Sequence, residues 1–255
     1  MHANASLGEM VAWLDSELDA AAYAAVEPDS NGLLYQSPSG DGVSKFAVAV
    51  NTSLTTIVGA ARAGAQLLVV HHAPWAQIDL HLREEKLEAL GAAGVSLYGA
   101  HASLDCARGT GNGWVLAGLL EVEVEDTFCE FAGGEAGVIG RCGGTFAELI
   151  ARASQRLAVQ VEAYENARTF GRVAIVPGGG GGTGDVDAAR RLACDTYITG
   201  EGSMFTRLFA RECGMNLVFG THYATEAPGI RALGERLGEH AGIPWEFIGE
   251  SPDVF

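Results

Sequence analysis

Leu67-Leu68-Val69-Val70-His71-His72-Ala73-Pro74 is an apolar run that breaks abruptly into two adjacent histidines. Four apolar residues between Gly64 and Pro74 suit an interior strand of a parallel sheet, in which helices cover both faces. Ligands of such sheets bind beyond the carboxyl ends of the strands. Successive side chains on an extended chain point to opposite sides, which leaves the pair two readings. Either one imidazole is core and the other surface, or both serve neighbouring positions in one polar site at the strand end. Residues elsewhere in the chain must decide.

Working outward, Phe46-Ala47-Val48-Ala49-Val50 reads as a second strand, and Ser53 to Gly64 as the helix that joins it to the first, with Ser53 or Thr52 as the cap. This β-α-β order predicts a parallel pair with a right-handed crossover. Before it, residues 6 to 26 approximate a helical stripe through Leu7, Met10, Val11, Trp13, Leu14, Leu18 and Tyr23. Glu27-Pro28-Asp29-Ser30-Asn31-Gly32 is a turn signal, and residues 33 to 36 suit a short strand. After the histidines, Leu80 to Ala93 has a helical pattern and Val95 to Gly99 is a further strand. That strand runs into Ala100-His101-Ala102-Ser103-Leu104-Asp105, and a helix is expected over Asn112 to Leu120.

The character changes around residues 121 to 140. Val122, Val124, Phe128 and Phe131 alternate with acidic residues, which marks half-exposed strands and the start of a second lobe. Thr145 to Leu157 suits a capped helix, Val173 to Val176 a strand, Val186 to Ala193 a helix, Tyr197 to Glu201 a short strand and residues 203 to 213 a helix. Asn216 to Gly220 is the last clear strand and leads into Thr221-His222-Tyr223-Ala224-Thr225-Glu226. A helix over Pro228 to Leu237 and an edge strand over Trp245 to Ile248 complete an α/β fold with mixed, largely parallel sheets.

Composition narrows the functional classes. A chain of 255 residues, 48% apolar, is long enough for one large domain or two small ones. The formal net charge of −16 arises from 32 acidic against 16 basic side chains, and Lys45 and Lys86 are the only lysines. Such a surface repels phosphate backbones and anionic lipid, so neither nucleic acid nor a membrane is expected as a partner. No apolar run approaches the roughly 20 residues that span a bilayer, and Met1-His2-Ala3-Asn4 lacks the pattern of a secretory leader. A cytoplasmic protein is expected. Acidic, lysine-poor usage also suits a salt-adapted or high-GC organism. The five cysteines, Cys106, Cys129, Cys142, Cys194 and Cys213, are scattered without a Cys-x-x-Cys pair, as suits reduced packing residues.

The run Gly178-Gly179-Gly180-Gly181-Gly182-Thr183-Gly184 invites a phosphate-loop reading. No Lys-Ser or Lys-Thr follows it, so the charge that would hold a phosphate is missing, and a nucleotide enzyme of that type is disfavoured. Its amides remain open to an anion at the following helix, or the run is a flexible turn.

Three strand ends carry polar clusters: His71-His72, His101 with Asp105, and His222 with Glu226. If a helix begins near residue 222, positions 222 and 226 face the same way and can share one ion. Imidazole and carboxylate without thiolate suit Zn, Fe, Mn, Co or Ni and argue against a closed structural zinc site.

With these clusters the chain resembles the GTP cyclohydrolase I type 2-like proteins, the dinuclear-metal-centre proteins of the Ngg-interacting-factor-three-like group. The likeness is carried in order by Asn31-Gly32-Leu33, His71-His72-Ala73-Pro74, His101-Ala102-Ser103-Leu104-Asp105, Thr199-Gly200-Glu201 and Gly220-Thr221-His222-Tyr223-Ala224-Thr225-Glu226. The resemblance implies that His71, His72, Asp105, His222 and Glu226 bind two divalent metal ions per chain, with Glu226 bridging, and that His101 lies behind the ligands or carries protons. It implies a homohexamer with its metal sites facing an internal cavity. It also implies two similar lobes, residues 1–122 with 218–255 and residues 123–217, the final segment returning to the first. Asn51 stands where the family often has Asp, and Ala73 and Trp75 replace commoner neighbours in the His-His-x-Pro motif.

Two cations roughly 3.5–4 Å apart can acidify a water between them and stabilise charge on the group attacked. The expected activity is therefore metal-assisted hydrolysis of a small substrate, nucleotide-like by the family name, with Glu226 setting the metal spacing and His101 passing a proton. The alternative is a non-catalytic metal-binding or regulatory hexamer, in which the ions organise a pocket.

Overall fold

The computed structural model describes residues 4–250; Met1-His2-Ala3, read above for a leader, lies outside the described residues. The chain divides into two compact units, one formed by the residues up to Ala107 with those from Ile230 onward, the other by Arg108–Gly229.

The first lobe holds a five-stranded sheet in the order Trp245–Phe247, Phe46–Asn51, Leu67–His72, Ser96–Ala100, Asn31–Tyr35. The first four strands run parallel and the last is antiparallel to its neighbour. Alternate residues of the strand at 46–51 go to opposite faces. Ala47 and Ala49 join Ile57, Leu68, Val70, Leu90 and Leu97 beneath helices Leu54–Arg62 and Leu82–Ala93. Phe46, Val48 and Val50 are equally buried on the other face. With both faces covered, the strand reads as continuous apolar sequence rather than as an alternation. Each fully buried Leu or Val contributes about 1.5–3 kcal/mol by leaving water.

The crossover helix Leu54–Arg62 starts where Ser53 was expected to cap it. Ser53 Oγ accepts from Thr56 N at 3.1 Å, and Thr56 Oγ1 accepts from Ser53 N at 2.9 Å. Gly64, at φ +74°, ends the helix while Ala65 N donates to Ala60 O at 3.0 Å. The chain then enters Leu67–His72 in parallel register, Phe46 opposite Leu67 and Asn51 opposite His72.

The expected helix over residues 6–26 is two helices, Leu7–Leu18 and Ala20–Ala24, broken where Asp19 takes a left-handed conformation at φ +48°. Leu7, Met10, Leu14 and Leu18 keep the apolar stripe in the first of them. The helix expected over residues 80–93 runs from Leu82 to Ala93, and a separate short helix, Ala76–Asp79, precedes it.

The second lobe holds a six-stranded sheet in the order Val122–Phe131, Gly134–Cys142, Arg172–Val176, Thr196–Thr199, Asn216–Phe219, Glu162–Tyr164. Its three central strands, Arg172–Val176, Thr196–Thr199 and Asn216–Phe219, run parallel, and the rest are antiparallel. On one face Val173, Ile175, Ile198 and Val218 pack with Leu116 of helix Asn112–Leu119 and with Leu149 and Ala153 of helix Phe146–Leu157. On the other, Ala174, Tyr197, Leu217 and Phe219 meet Val186 and Ala189 of helix Thr183–Arg191 and Ala210 of helix Met204–Cys213. Helix Asn112–Leu119 and strand Asn216–Phe219 thus belong to this lobe. The alternation that begins at residue 122 marks its exposed hairpin rather than its first element.

Helix His222–Ala241 begins in the second lobe and ends in the first. It starts six residues before the Pro228 expected to open it, because Thr221 Oγ1 caps it by accepting from Ala224 N at 3.2 Å. No helix among the described residues is long and apolar enough to cross a membrane.

Candidate metal centre

In the first lobe two strand ends bring three imidazoles together. His71 and His72 close the strand Leu67–His72, and His101 directly follows the strand Ser96–Ala100. Adjacent residues on a strand should diverge, yet the rings of His71 and His72 lie 4.6 Å apart between centroids. His101 is 5.1 Å from His71 and 5.8 Å from His72. One ring nitrogen from each of the three falls within 4.8 Å of the other two. His71 is fully buried, and His72 and His101 are partly buried. Asp105, one turn beyond His101, places Oδ1 3.6 Å from His71 Nε2.

Each of these imidazoles presents Nδ1 to an oxygen acceptor. His71 Nδ1 donates to Ala100 O at 2.8 Å, and His101 Nδ1 to Glu27 Oε2 at 2.9 Å. His72 Nδ1 donates to Asn51 Oδ1 at 2.6 Å. The orientation of the Asn51 amide is set in turn, because its Nδ2 donates to Glu250 Oε2. An Nδ1–H tautomer puts the lone pair of a neutral ring on Nε2, the arrangement by which proteins orient metal-binding histidines. The hydrogen bond from His101 holds the Glu27 carboxyl below the usual carboxylate range against the opposing effect of burial, with further help from Asn31 and the Ala102 amide. Trp75 walls this cluster, its ring 5.3 Å from His72 and 5.0 Å edge-on from His101, while its Nε1 donates to Ser30 Oγ.

In the second lobe His222 and Glu226 sit one turn apart at the start of their helix, as the spacing predicted, with His222 Nε2 3.1 Å from Glu226 Oε1. His222 Nδ1 donates to Glu201 Oε1 at 3.0 Å, so this imidazole too is anchored through Nδ1. Burial alone would lower the His222 pKa. Hydrogen bonds and charge from Glu226 and Glu201 overcome that and raise it to about 9. The Glu226 carboxyl is itself buried, at 3% exposure.

The glycine run packs against this pair. At Gly178, where φ is +64°, an added Cβ would come within 1.9 Å of Glu226 Oε1 and 3.0 Å of His222 Nε2. Gly178 N donates to Thr225 Oγ1 at 3.0 Å and Gly181 N to Gly179 O at 2.8 Å, so these amides are engaged within the lobe. Asp185, in the first turn of the following helix, opposes an anion there. A cleft of about 380 Å³ is lined by Gly179, Gly181, Glu201, Gly202 and Ser203.

Sequence reasoning singled out every imidazole of these clusters, together with Asp105 and Glu226. It assigned no role to the oxygens that orient the rings: Glu27, Asn51, Glu201, Glu250 and the carbonyl of Ala100. Glu27 appeared only as part of a turn, and Glu201 only inside a motif. The usable signal is chemical, since a metal-binding imidazole needs an acceptor on its second nitrogen. The donor set fits divalent cations of the zinc, iron, manganese, cobalt and nickel type, being imidazole and carboxylate with Nδ1 engaged throughout.

Comparisons with known proteins show the family. Residues 5–253 match the family model described as Duf34/NIF3 (NGG1p interacting factor 3). A protein of Deinococcus radiodurans named GTP cyclohydrolase 1 type 2 homolog is 32% identical, the alignment covering 94% of this chain and 91% of the relative. One of Pyrococcus horikoshii with the same name is 35% identical over 94% of this chain and 96% of its own. Among solved structures, the protein ybgI, described as of unknown function, superposes with a TM-score of 0.85 at 29% identity, covering 97% of this chain and 99% of that one. Reduced HcgD from Methanocaldococcus jannaschii shares the fold, with a TM-score of 0.83 at 22% identity over 98% of this chain and 100% of that one.

Proposed function

The chain belongs to the Duf34/NIF3 family, and from that premise we propose that it is a metal-dependent hydrolase of a small, nucleotide-like substrate. In this reading His71, His72, Asp105, His222 and Glu226 hold two divalent cations, and His101 carries protons. The observation that supports it most is the anchoring of all four imidazoles through Nδ1 to carboxylate, amide or carbonyl oxygen. A histidine that serves only packing has no need of such uniformity. The relatives named GTP cyclohydrolase 1 type 2 homolog support the nucleotide-like substrate class.

Bound to these residues, divalent cations would supply Lewis acidity, lowering the pKa of water and polarising the group under attack. The chain's own residues have separate tasks. Ala100 O and Asn51 aim His71 and His72, and Glu201 aims His222. Gly178 leaves room for the Glu226 carboxyl beside the backbone. Trp75 packs against the imidazoles of His72 and His101. A homohexamer in the cytoplasm is part of the same proposal, and sedimentation analysis measures its size.

The test combines elemental analysis with turnover of GTP and of bis(4-nitrophenyl) phosphate. Two metals per chain and metal-dependent hydrolysis of at least one probe are expected, with one metal lost in Glu226→Gln. Two metals retained in that variant would refute the bridging assignment. A full metal complement with no turnover in a broad screen of nucleotides, phosphoesters and cyclic amides would favour a metal-binding assembly instead.

A further inference from the structure

The loop between the second helix and the strand Asn31–Tyr35 is tied to the turn that carries His101 and Asp105. His101 Nδ1 donates to Glu27 Oε2 at 2.9 Å, and His101 N donates to Ser30 O at 3.3 Å. Ser103 N donates to Asn31 Oδ1 at 3.0 Å. The amide of the same Asn31 turns its Nδ2 back to Glu27, 3.3 Å from Oε2 and 3.4 Å from the backbone oxygen. Glu27 thus has its carboxylate held by Asn31 and the Ala102 amide and directed at the Nδ1 of His101. Their side chains are only 24% and 18% exposed, so water competes poorly for that bond. His71 and His72 take uncharged oxygens on Nδ1; His101 alone of the three in this lobe takes a carboxylate. His222 in the second lobe also takes a carboxylate, Glu201, on Nδ1; the His101 acceptor differs in being fixed by Asn31 from its far side. A carboxylate additionally stabilises a ring that gains a proton during turnover.

We propose that Glu27 is a positioning residue for the hydrolysis: it locks His101 in the Nδ1–H tautomer and supports the imidazolium formed when His101 Nε2 takes a proton. In the step, the attacking water forms its bond to the substrate and releases a proton to His101 Nε2. As the bond between the attacked atom and the leaving group breaks, the leaving group keeps the electron pair and takes that proton from the imidazolium held by Glu27, so the dyad ends as it began. The proposal deepens the hydrolase reading and rests on it. The tautomer lock can be measured without any activity.

The experiment is nitrogen-15 NMR of protein labelled at histidine, before and after loading with Zn²⁺, for wild type, Glu27→Ala and Glu27→Gln. In the wild type His101 should show a protonated Nδ1, and its Nε2 should not acquire the shift of a zinc ligand on loading. Glu27→Ala should move the ring toward the Nε2–H tautomer. Glu27→Gln keeps an acceptor oxygen and should keep the Nδ1–H form. Turnover of bis(4-nitrophenyl) phosphate should fall roughly 10- to 100-fold in both variants through kcat, with KM and metal content unchanged. An Nε2–H tautomer in the wild type, an unchanged tautomer in Glu27→Ala, or zinc ligation by His101 would overturn the proposal. Confirmed tautomers with no hydrolysis by any variant would instead remove the hydrolase reading and leave the Glu27–His101 pair as a structural dyad. Should Glu27→Ala fail to fold, full wild-type kcat in Glu27→Gln would overturn it.

Discussion

Replacing Gly178 by Ala tests the reading of the glycine run most directly. The residue adopts φ +64°, a left-handed conformation that costs an alanine about 1–2 kcal/mol. Its new Cβ would fall 1.9 Å from Glu226 Oε1 and 2.9 Å from the carboxyl carbon. That buried group must therefore shift, at the roughly 1–3 kcal/mol typical of overpacking. The two add to about 2–5 kcal/mol, or roughly 4–20 °C in Tm for a chain of this size. Gly184 is the internal control. It lies inside the helix Thr183–Arg191, and an added Cβ meets nothing within 4 Å. Gly184→Ala should leave Tm unchanged or raise it by the equivalent of about 0.4–1 kcal/mol. Thermal unfolding followed by far-ultraviolet circular dichroism reads both variants. Equal Tm values for the two would refute the idea that the run is built to fit around Glu226 at one end and is only compositional at the other.

Tyr98 and Tyr197 have phenol pKa values pushed far above the usual range, by burial first and then by neighbouring acids, and burial pushes Tyr23 up to about 12. The unfolded chain therefore loses phenol protons before the folded one does, and stability should fall as pH rises from about 10. Absorbance titration of the six tyrosines should show at least two that ionise only together with loss of the circular dichroism signal; smooth ionisation of all six in folded protein would contradict their burial. Arg207 meets both oxygens of Glu162, Nε to Oε1 at 2.9 Å and Nη2 to Oε2 at 2.7 Å, and its guanidinium lies 4.7 Å from the Phe219 ring centroid. Arg207→Lys loses the fork, and because Glu162 is about half exposed the local cost should be near 0.5–1 kcal/mol. A several-fold faster amide exchange in strand Glu162–Tyr164 is the expected sign, and unchanged exchange would show that the pair does not pin that edge.

The strand ends were legible because burial on both faces forces uninterrupted apolar runs, so the sudden histidines after Val70 and Ala100 stood out. The helix at His222 was placed too late because Pro228 is a stronger local signal than a single Thr cap, although a tertiary environment tolerates the proline inside the helix. The lobe boundary was read at residue 122 for a related reason. Solvent exposure of a hairpin changes composition visibly, while the buried helix Asn112–Leu119 gives no such sign. The oxygens that aim the imidazoles were not readable at all. Glu27 lies 74 residues from His101, and Glu250 lies 199 from the Asn51 it orients. Pairs that distant leave no periodicity in the chain; only the sheet register brings them together.

The first lobe takes its edge strand, Trp245–Phe247, from beyond the whole of the second. On a ribosome, residues 46–51 therefore wait with one hydrogen-bonding rim bare while more than half the polypeptide is still to be made. A nascent chain stalled before residue 245 would offer that row of unpaired N–H and C=O groups to any other strand nearby.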